Sequence, residues 1–144
     1  MKANEEEISL LQLIPLCYRV LRMNHAKREH GLTKSQLMIL TALHRRKELT
    51  MSQVADCISS SKEQATRAVS PLVEAGYVAR TEDSGNRTHI CVHLTEAGRT
   101  VLENLCAEIH TSLNERIDTA LNAEEKAELN SALETMITLL SKVQ

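Results

Sequence analysis

The sequence of 144 residues has almost no aromatic side chains, because Tyr18 and Tyr77 are present but Phe and Trp are absent. Its core must therefore be built from aliphatic residues. Proteins that bind single-stranded nucleic acid stack the bases on aromatic side chains, and two tyrosines offer too small a platform for this. The composition thus argues against a single-strand binding protein.

Long apolar runs are also missing, since no segment approaches the roughly 18 apolar residues that a transmembrane helix needs. The N-terminus is acidic before its apolar part begins, which is unlike a secretory signal peptide. The sequence therefore predicts a cytoplasmic protein with no membrane partner.

Catalytic motifs are absent as well. The four glycines form no phosphate-binding loop, and the sequence contains no G-x-S-x-G element. Cys17, Cys57, Cys91 and Cys106 are widely spaced, with no C-x-x-C pair, as expected of reduced thiols. We expect neither enzyme activity nor a cofactor.

The charge is small overall but unevenly distributed. The net charge is −2, yet residues 17–99 carry 13 Lys and Arg residues and only 8 Asp and Glu residues. The two ends together carry 4 Lys and Arg residues and 11 Asp and Glu residues. A basic centre between acidic ends favours a chain whose centre meets a polyanion. An uneven but merely solvated surface is the alternative.

Apolar spacing and turn residues predict six helices and two strands. The helices are expected over residues 8–30, 33–47, 50–58, 62–75, 95–118 and 122–143, and the strands over 77–81 and 88–94. Pro15 should kink the first helix or mark its start. Pro71 should bend the fourth and push Ser70 away from helical angles.

Two short helices followed by a β-hairpin is the order of a winged helix-turn-helix, in which the helix over residues 62–75 reads DNA. Its polar face and its N-cap supply the predicted DNA-binding residues, which are Ser61, Lys62, Gln64, Thr66, Arg67 and Ser70. Arg67 suits a guanine edge and Gln64 an adenine edge, while Thr66 or Ser70 could reach phosphate or a thymine methyl group. Lys62 and the helix N-terminus favour a nearby phosphate. Asn86 and Arg87, at the tip of the hairpin, could enter a minor groove.

Short motifs in the right order resemble the MarR family of transcriptional regulators. They are Leu32-Thr33-x-x-Gln36, Ser52-Gln53-Val54-Ala55, Thr66-Arg67, Glu74-Ala75-Gly76-Tyr77-Val78-x-Arg80 and Leu94-Thr95-Glu96-Ala97-Gly98. The resemblance implies a homodimer that represses genes from a palindromic operator in double-stranded DNA. It also implies release by a small lipophilic or phenolic effector.

The wing departs from the family pattern, which usually has Asp-x-Arg before the second strand. Here Asn86 and Thr88 occupy those positions, and Arg87 lies between them. A winged helix that serves only as a protein-interaction module is therefore a second hypothesis.

Sensing by a metal or a thiol is a third hypothesis, within the same fold. His89, Cys91 and His93 alternate on one strand face and could bind a metal ion, although inside-outside alternation explains the pattern better. Cys17 could be a redox-sensitive thiol, although a packed core cysteine is the favoured interpretation. We assign no metal site from the sequence.

The predicted fold is mainly α, with a small β-hairpin wing and dimerisation helices at both ends. We expect a single domain over residues 1–144. Within it, residues 32–95 form the winged helix-turn-helix, and residues 1–31 and 96–144 form the helical dimerisation region.

Overall fold

The structure is a computed structural model that describes residues 5–21, 30–83 and 86–143. It contains six helices and three strands within those ranges. In chain order they are α1 (Glu5–Val20), α2 (Lys34–Arg45), β1 (Leu49–Thr50), α3 (Met51–Cys57), α4 (Lys62–Glu74), β2 (Val78–Asp83), β3 (Asn86–Leu94), α5 (Glu96–Ala120) and α6 (Ala123–Leu140). The chain divides into two compact units, Met1–Glu108 and Ile109–Gln144.

The first unit holds a three-stranded antiparallel sheet in the order β1-β3-β2. β2 and β3 form the predicted hairpin, and Val78 pairs with Leu94 at its base. The prediction missed β1, whose Leu49 pairs with Val92. A strand of two residues is too short to show an alternating pattern, so the sequence carries no signal for it.

The core of the first unit is aliphatic, as the composition predicts. Its fully buried large side chains come from the helices and from all three strands: Ile39, Leu40, Leu49, Val54, Val69, Leu72, Val78 and Val92. Burial of each such side chain stabilises the fold by roughly 1.5–3 kcal/mol relative to leaving it in water. This core therefore fixes α4 against α2, α3 and the base of the sheet.

Side-chain caps set where three of these helices begin. Thr33 and Gln36 form a capping box at α2, and Thr50 and Gln53 form a second one at α3. Ser61 caps α4 by accepting a hydrogen bond from the backbone N–H of Gln64 at 3.2 Å. Each cap satisfies backbone donors that a helix N-terminus otherwise leaves without a partner.

Both prolines lie inside helices. Pro15 lies inside α1, which begins at Glu5, so it does not mark the start of that helix. Pro71 lies inside α4, and Ser70 remains helical, so the prediction that Ser70 leaves helical angles is wrong. The burial of Val69 and Leu72 on either side of this position holds the segment in helical geometry.

The second unit contains the C-terminal part of α5 and all of α6. Asn122 caps α6, and Lys126 forms an ion pair with Asp118. No residue of α6 is buried. Its exposed large apolar side chains are Leu133, Ile137, Leu139 and Leu140, and Val143 follows the helix.

Candidate nucleic-acid interface

The turn between α3 and α4 is a tight four-residue connection, Ile58 to Ser61. Ser59 adopts a left-handed backbone with φ of 50°. The N–H of Ser60 returns to the carbonyl of Ala55 at 3.0 Å, which closes the end of α3. The geometry is that of a helix ended by a left-handed residue, and it leads the chain directly into α4.

The outward face of α4 is polar, and its inward face is apolar. Ala65, Val69 and Leu72 are buried against the core. The predicted DNA-reading residues lie on the opposite side and are exposed: Ser61, Lys62, Gln64, Thr66 and Arg67. Ser70 is half-buried. The structure thus brings these six side chains together along one helix.

Two hydroxyls on this face already donate their protons to the helix backbone. Thr66 donates to the carbonyl of Lys62 at 2.9 Å, and Ser70 donates to the carbonyl of Thr66 at 2.9 Å. A hydroxyl has a single proton, so in this geometry both can only accept a further hydrogen bond.

Glu63 adds a negative charge to the first turn of α4, near which a DNA phosphate is predicted to bind. Its side chain is fully exposed, and a backbone hydrogen bond at Glu63, the Ser61 hydroxyl and the nearby charges of Arg67 and Lys62 all lower the pKa of its carboxyl group. An ionised carboxylate therefore interacts with the positive end of the helix. A DNA phosphate at this point must compete with Glu63 for the same amides.

Arg80 also lies on this surface, although it was not among the predicted DNA-binding residues. It lies on β2, is exposed, and donates from its guanidinium to the hydroxyl oxygen of Ser70 at 3.3 Å. This bond adds a positive charge beside the C-terminal half of α4. Only the pairing of strand and helix in three dimensions brings the two residues together.

Gln36 supports α4 from below. Its side chain is 7% exposed, and its amide nitrogen donates to the carbonyl of Ala68 in α4 at 3.2 Å. Its amide oxygen accepts from the backbone N–H of Thr33 at 2.9 Å. One buried side chain thus caps α2 and links α2 to α4, the helix that carries Arg67.

The hairpin is anchored at its base rather than at its tip. The N–H of Thr95 donates to the carbonyl of Tyr77 at 3.1 Å, and the N–H of Gly98 donates to the Thr95 hydroxyl oxygen at 3.1 Å. A methyl group on Gly98 would overlap the carbonyl oxygen of Tyr77. Asn86 begins β3 and pairs with Asp83. The side chains of Asn86 and Arg87, both predicted to contact DNA, lie outside the described residues.

The metal hypothesis receives little geometric support, and a redox role of Cys17 stays a prediction. Cys17 is exposed, so the expectation that it packs in the core is wrong, and all four cysteines are free thiols. The side chain of His89 lies outside the described residues. In the part of the chain that the structure describes, no three His, Cys, Asp or Glu residues are grouped as a metal site would require.

Membrane insertion finds no support in the helices. Across residues 5–21, 30–83 and 86–143, none of them has both the length and the hydropathy that a crossing would require.

Comparisons with known proteins agree with this geometry. Residues 30–87 match the model of the MarR family. The transcriptional repressor MprA of Escherichia coli is 24% identical over 123 residues, which cover 84% of this chain and 69% of MprA.

Two solved structures share the fold. Wild type MarR from Escherichia coli in its apo form superposes with a TM-score of 0.78 at 20% identity, covering 94% of this chain and 98% of MarR. BpsR from Bordetella bronchiseptica is a protein whose DNA binding is regulated by 6-hydroxynicotinic acid. It superposes with a TM-score of 0.64 at 19% identity, covering 89% of this chain and 98% of BpsR. The family match over residues 30–87, the capped α3-turn-α4 unit and the winged sheet make this chain similar to proteins of the MarR family.

Proposed function

We propose that this protein is a DNA-binding transcriptional regulator that represses its target genes as a homodimer on a palindromic operator. The observation that carries the proposal is the exposed polar face of α4, with Arg67 at its centre. The opposite, apolar face of α4 is buried in the core. A helix of this kind fits the major groove of B-DNA. Repression is proposed by analogy with MprA.

Specificity is assigned to Arg67 and Gln64, because their side chains are exposed and can make paired hydrogen bonds to guanine and adenine edges respectively. Affinity is assigned to contacts between Lys or Arg and phosphate, and we propose the exposed Lys62 and Arg80 for this role. Thr66 and Ser70 remain proposed contacts to phosphate or to a thymine methyl group. Asn86 and Arg87 remain proposed wing contacts.

Replacement of Arg67 tests this assignment. Arg67→Ala should weaken binding to the operator by roughly 1–3 kcal/mol and reduce discrimination against altered sites. Arg67→Lys is the matched control, because it keeps the charge but loses the paired hydrogen bonds. We therefore expect the Lys variant to retain binding to random DNA while losing preference for the operator. An equal loss on all sequences in Arg67→Ala would show that Arg67 contacts only phosphate.

We assign the homodimer interface to the terminal helices. α1 exposes Leu11 at 70% and Ile14 at 55%, and α6 exposes Ile137 at 66%. Leu133, Ile137 and Leu140 lie one turn apart and form a continuous stripe on α6. Apolar stripes of this kind are unfavourable in water unless another surface covers them, and a second copy of the chain presents the same stripes.

Sedimentation of two α6 variants tests the interface. Ile137→Asp places a charge in the stripe and should shift the protein from dimer to monomer. Thr135→Asp makes the same change on the opposite side of α6, where the side chain is also exposed, and should leave the dimer intact. If both variants sediment alike, α6 does not form the interface.

We further propose that a small lipophilic or phenolic effector releases the protein from DNA. The support is the family resemblance together with BpsR, a protein of the same fold whose DNA binding responds to an aromatic acid. Titration of the DNA complex with 6-hydroxynicotinic acid and with simple phenols, followed by fluorescence anisotropy, tests this response. If none of these compounds releases DNA, the effector class is different.

A further inference from the structure

Glu63 lies near the centre of the outward face of α4, although it is not among the predicted DNA-binding residues. At about 100° of rotation per residue, it lies about 180° around the helix from the buried Leu72. The same rotation places Glu63 about 40° from Arg67, whereas Gln64 is about 60° and Thr66 about 100° from Arg67. The side chain of Glu63 is exposed. A helix that docks in the major groove through Arg67 therefore brings Glu63 into the groove as well.

The carboxylate of Glu63 is held in a defined place. The N–H of Glu63 and the hydroxyl of Ser61 both donate hydrogen bonds to it. These two bonds leave about half of the roughly four acceptor positions of a carboxylate for a ligand. Lys62 and Arg67 attract the carboxylate, but neither forms an ion pair with it in the part of the chain that the structure describes. Glu63 therefore presents a negatively charged acceptor on the first turn of α4.

An acceptor of this charge needs a hydrogen-bond donor on the DNA. Phosphate oxygens and the N7 and O6 atoms of guanine are themselves acceptors, so they repel a carboxylate. The donors in the major groove are the amino groups of cytosine and adenine. In adenine the acceptor N7 lies beside the amino group, which suits the amide of Gln64 better than a carboxylate. Cytosine is therefore the base that fits Glu63.

The position of Glu63 along α4 also favours a contact with a base. Recognition helices of helix-turn-helix proteins approach the base edges with their N-terminal residues, and Glu63 is the second residue of α4. Arg67 follows one turn later, about 6 Å along the helix axis, which corresponds to about two base-pair steps of roughly 3.4 Å. The two side chains can thus contact bases about two pairs apart.

We propose that Glu63 is a specificity-determining residue whose carboxylate accepts a hydrogen bond from the amino group of a cytosine, about two base pairs from the guanine that Arg67 contacts. This role depends on the proposed reading of DNA by α4. Guanine or thymine at the same position would place an acceptor against the carboxylate. Glu63 therefore increases selectivity and lowers the affinity for random DNA.

Selection of binding sites from random DNA duplexes tests this role, with the full-length wild type and two variants that each remove one charge. The wild type should enrich a site with cytosine at one position of each half. Glu63→Gln should replace this preference by adenine, because an amide both donates and accepts, as the adenine edge requires. Glu74→Gln removes the same charge from another exposed residue of α4, about 16 Å further along the helix, and should keep the cytosine.

The outcomes distinguish the role of Glu63 from the function on which it depends. If the wild type enriches no sequence, the proposed reading of DNA fails and the role of Glu63 fails with it. If the wild type enriches a site and Glu63→Gln enriches the same bases, specific reading of DNA stands and the role of Glu63 is overturned. An equal gain in affinity for all sequences in Glu63→Gln and Glu74→Gln would reduce Glu63 to a general negative charge and would also overturn it.

Removal of the cytosine amino group tests the contact on the wild-type protein. Pyrimidin-2-one in place of the selected cytosine still pairs with guanine but has no amino group. Fluorescence anisotropy should show about tenfold weaker binding of the wild type to this duplex, which is in the range of one mismatched base pair. Glu63→Ala should bind the two duplexes within about twofold of each other, because it has no acceptor to lose. If the wild type binds both duplexes equally, Glu63 does not contact the amino group and the proposal is wrong.

Discussion

The two capping boxes of this fold provide a matched pair for measuring how α4 is supported. Gln36 and Gln53 each accept a hydrogen bond from the N-cap N–H at 2.9 Å, and in each box a threonine hydroxyl accepts the reciprocal bond. Gln53 is exposed, whereas Gln36 is 7% exposed and also donates to Ala68 in α4. The difference between the two sites is therefore the buried link to α4.

Gln53→Ala should cost about 0.5–1 kcal/mol, which is the loss of one capping interaction. Gln36→Ala loses the same interaction, a further hydrogen bond of about 0.5–1.5 kcal/mol and the packing of a buried side chain, for a total of about 2–3 kcal/mol. Urea unfolding of both variants at one protein concentration measures these costs, since the stability of a dimer depends on concentration. Costs that agree within about 0.5 kcal/mol would refute the claim that Gln36 supports α4.

Three other predictions follow from local geometry. Gly98→Ala should lower stability by about 3 kcal/mol or more in thermal unfolding, because its methyl group overlaps the Tyr77 carbonyl; a normal melting temperature would contradict this. Ser59→Val should cost about 1–2 kcal/mol in urea unfolding, because a branched side chain is strained at φ of 50°, whereas Ser59→Asn should change stability by less than about 0.5 kcal/mol. In an NMR titration the pKa of Glu63 should lie below the ordinary glutamate value and rise in Ser61→Ala. Since this pKa is lowered by folding, the ionised carboxylate should contribute stability at neutral pH that is lost as the pH falls through the folded pKa.

Local signals were sufficient to predict most of the helices and the face of α4. Thr33 and Ser61 mark helix starts because each cap forms within four residues of sequence. The position of Arg67 on the exposed face follows from helical periodicity, since Ala65 and Val69 turn inward. The winged order of elements also follows from the sequence, because it depends on turns and hairpins that are local.

Features that depend on distant pairs could not be predicted in this way. The bond from Arg80 to Ser70 and the bond from Gln36 to Ala68 join residues that are 10 and 32 positions apart. The periodicity of a helix also does not show which hydroxyls donate to their own backbone, as those of Thr66 and Ser70 do. Cys17 was expected in the core because the pattern of α1 does not show which surface its apolar face meets.

The central claim is that this protein reads specific DNA through α4, and binding to the DNA upstream of its own gene tests it most directly. Fluorescence anisotropy on this DNA and on a scrambled duplex, each titrated with salt, separates phosphate attraction from base reading. The account predicts tight binding that weakens steeply with salt and exceeds binding to the scrambled duplex. Weak binding with no preference between the two duplexes would contradict the account and favour a winged helix that serves as a protein-interaction module.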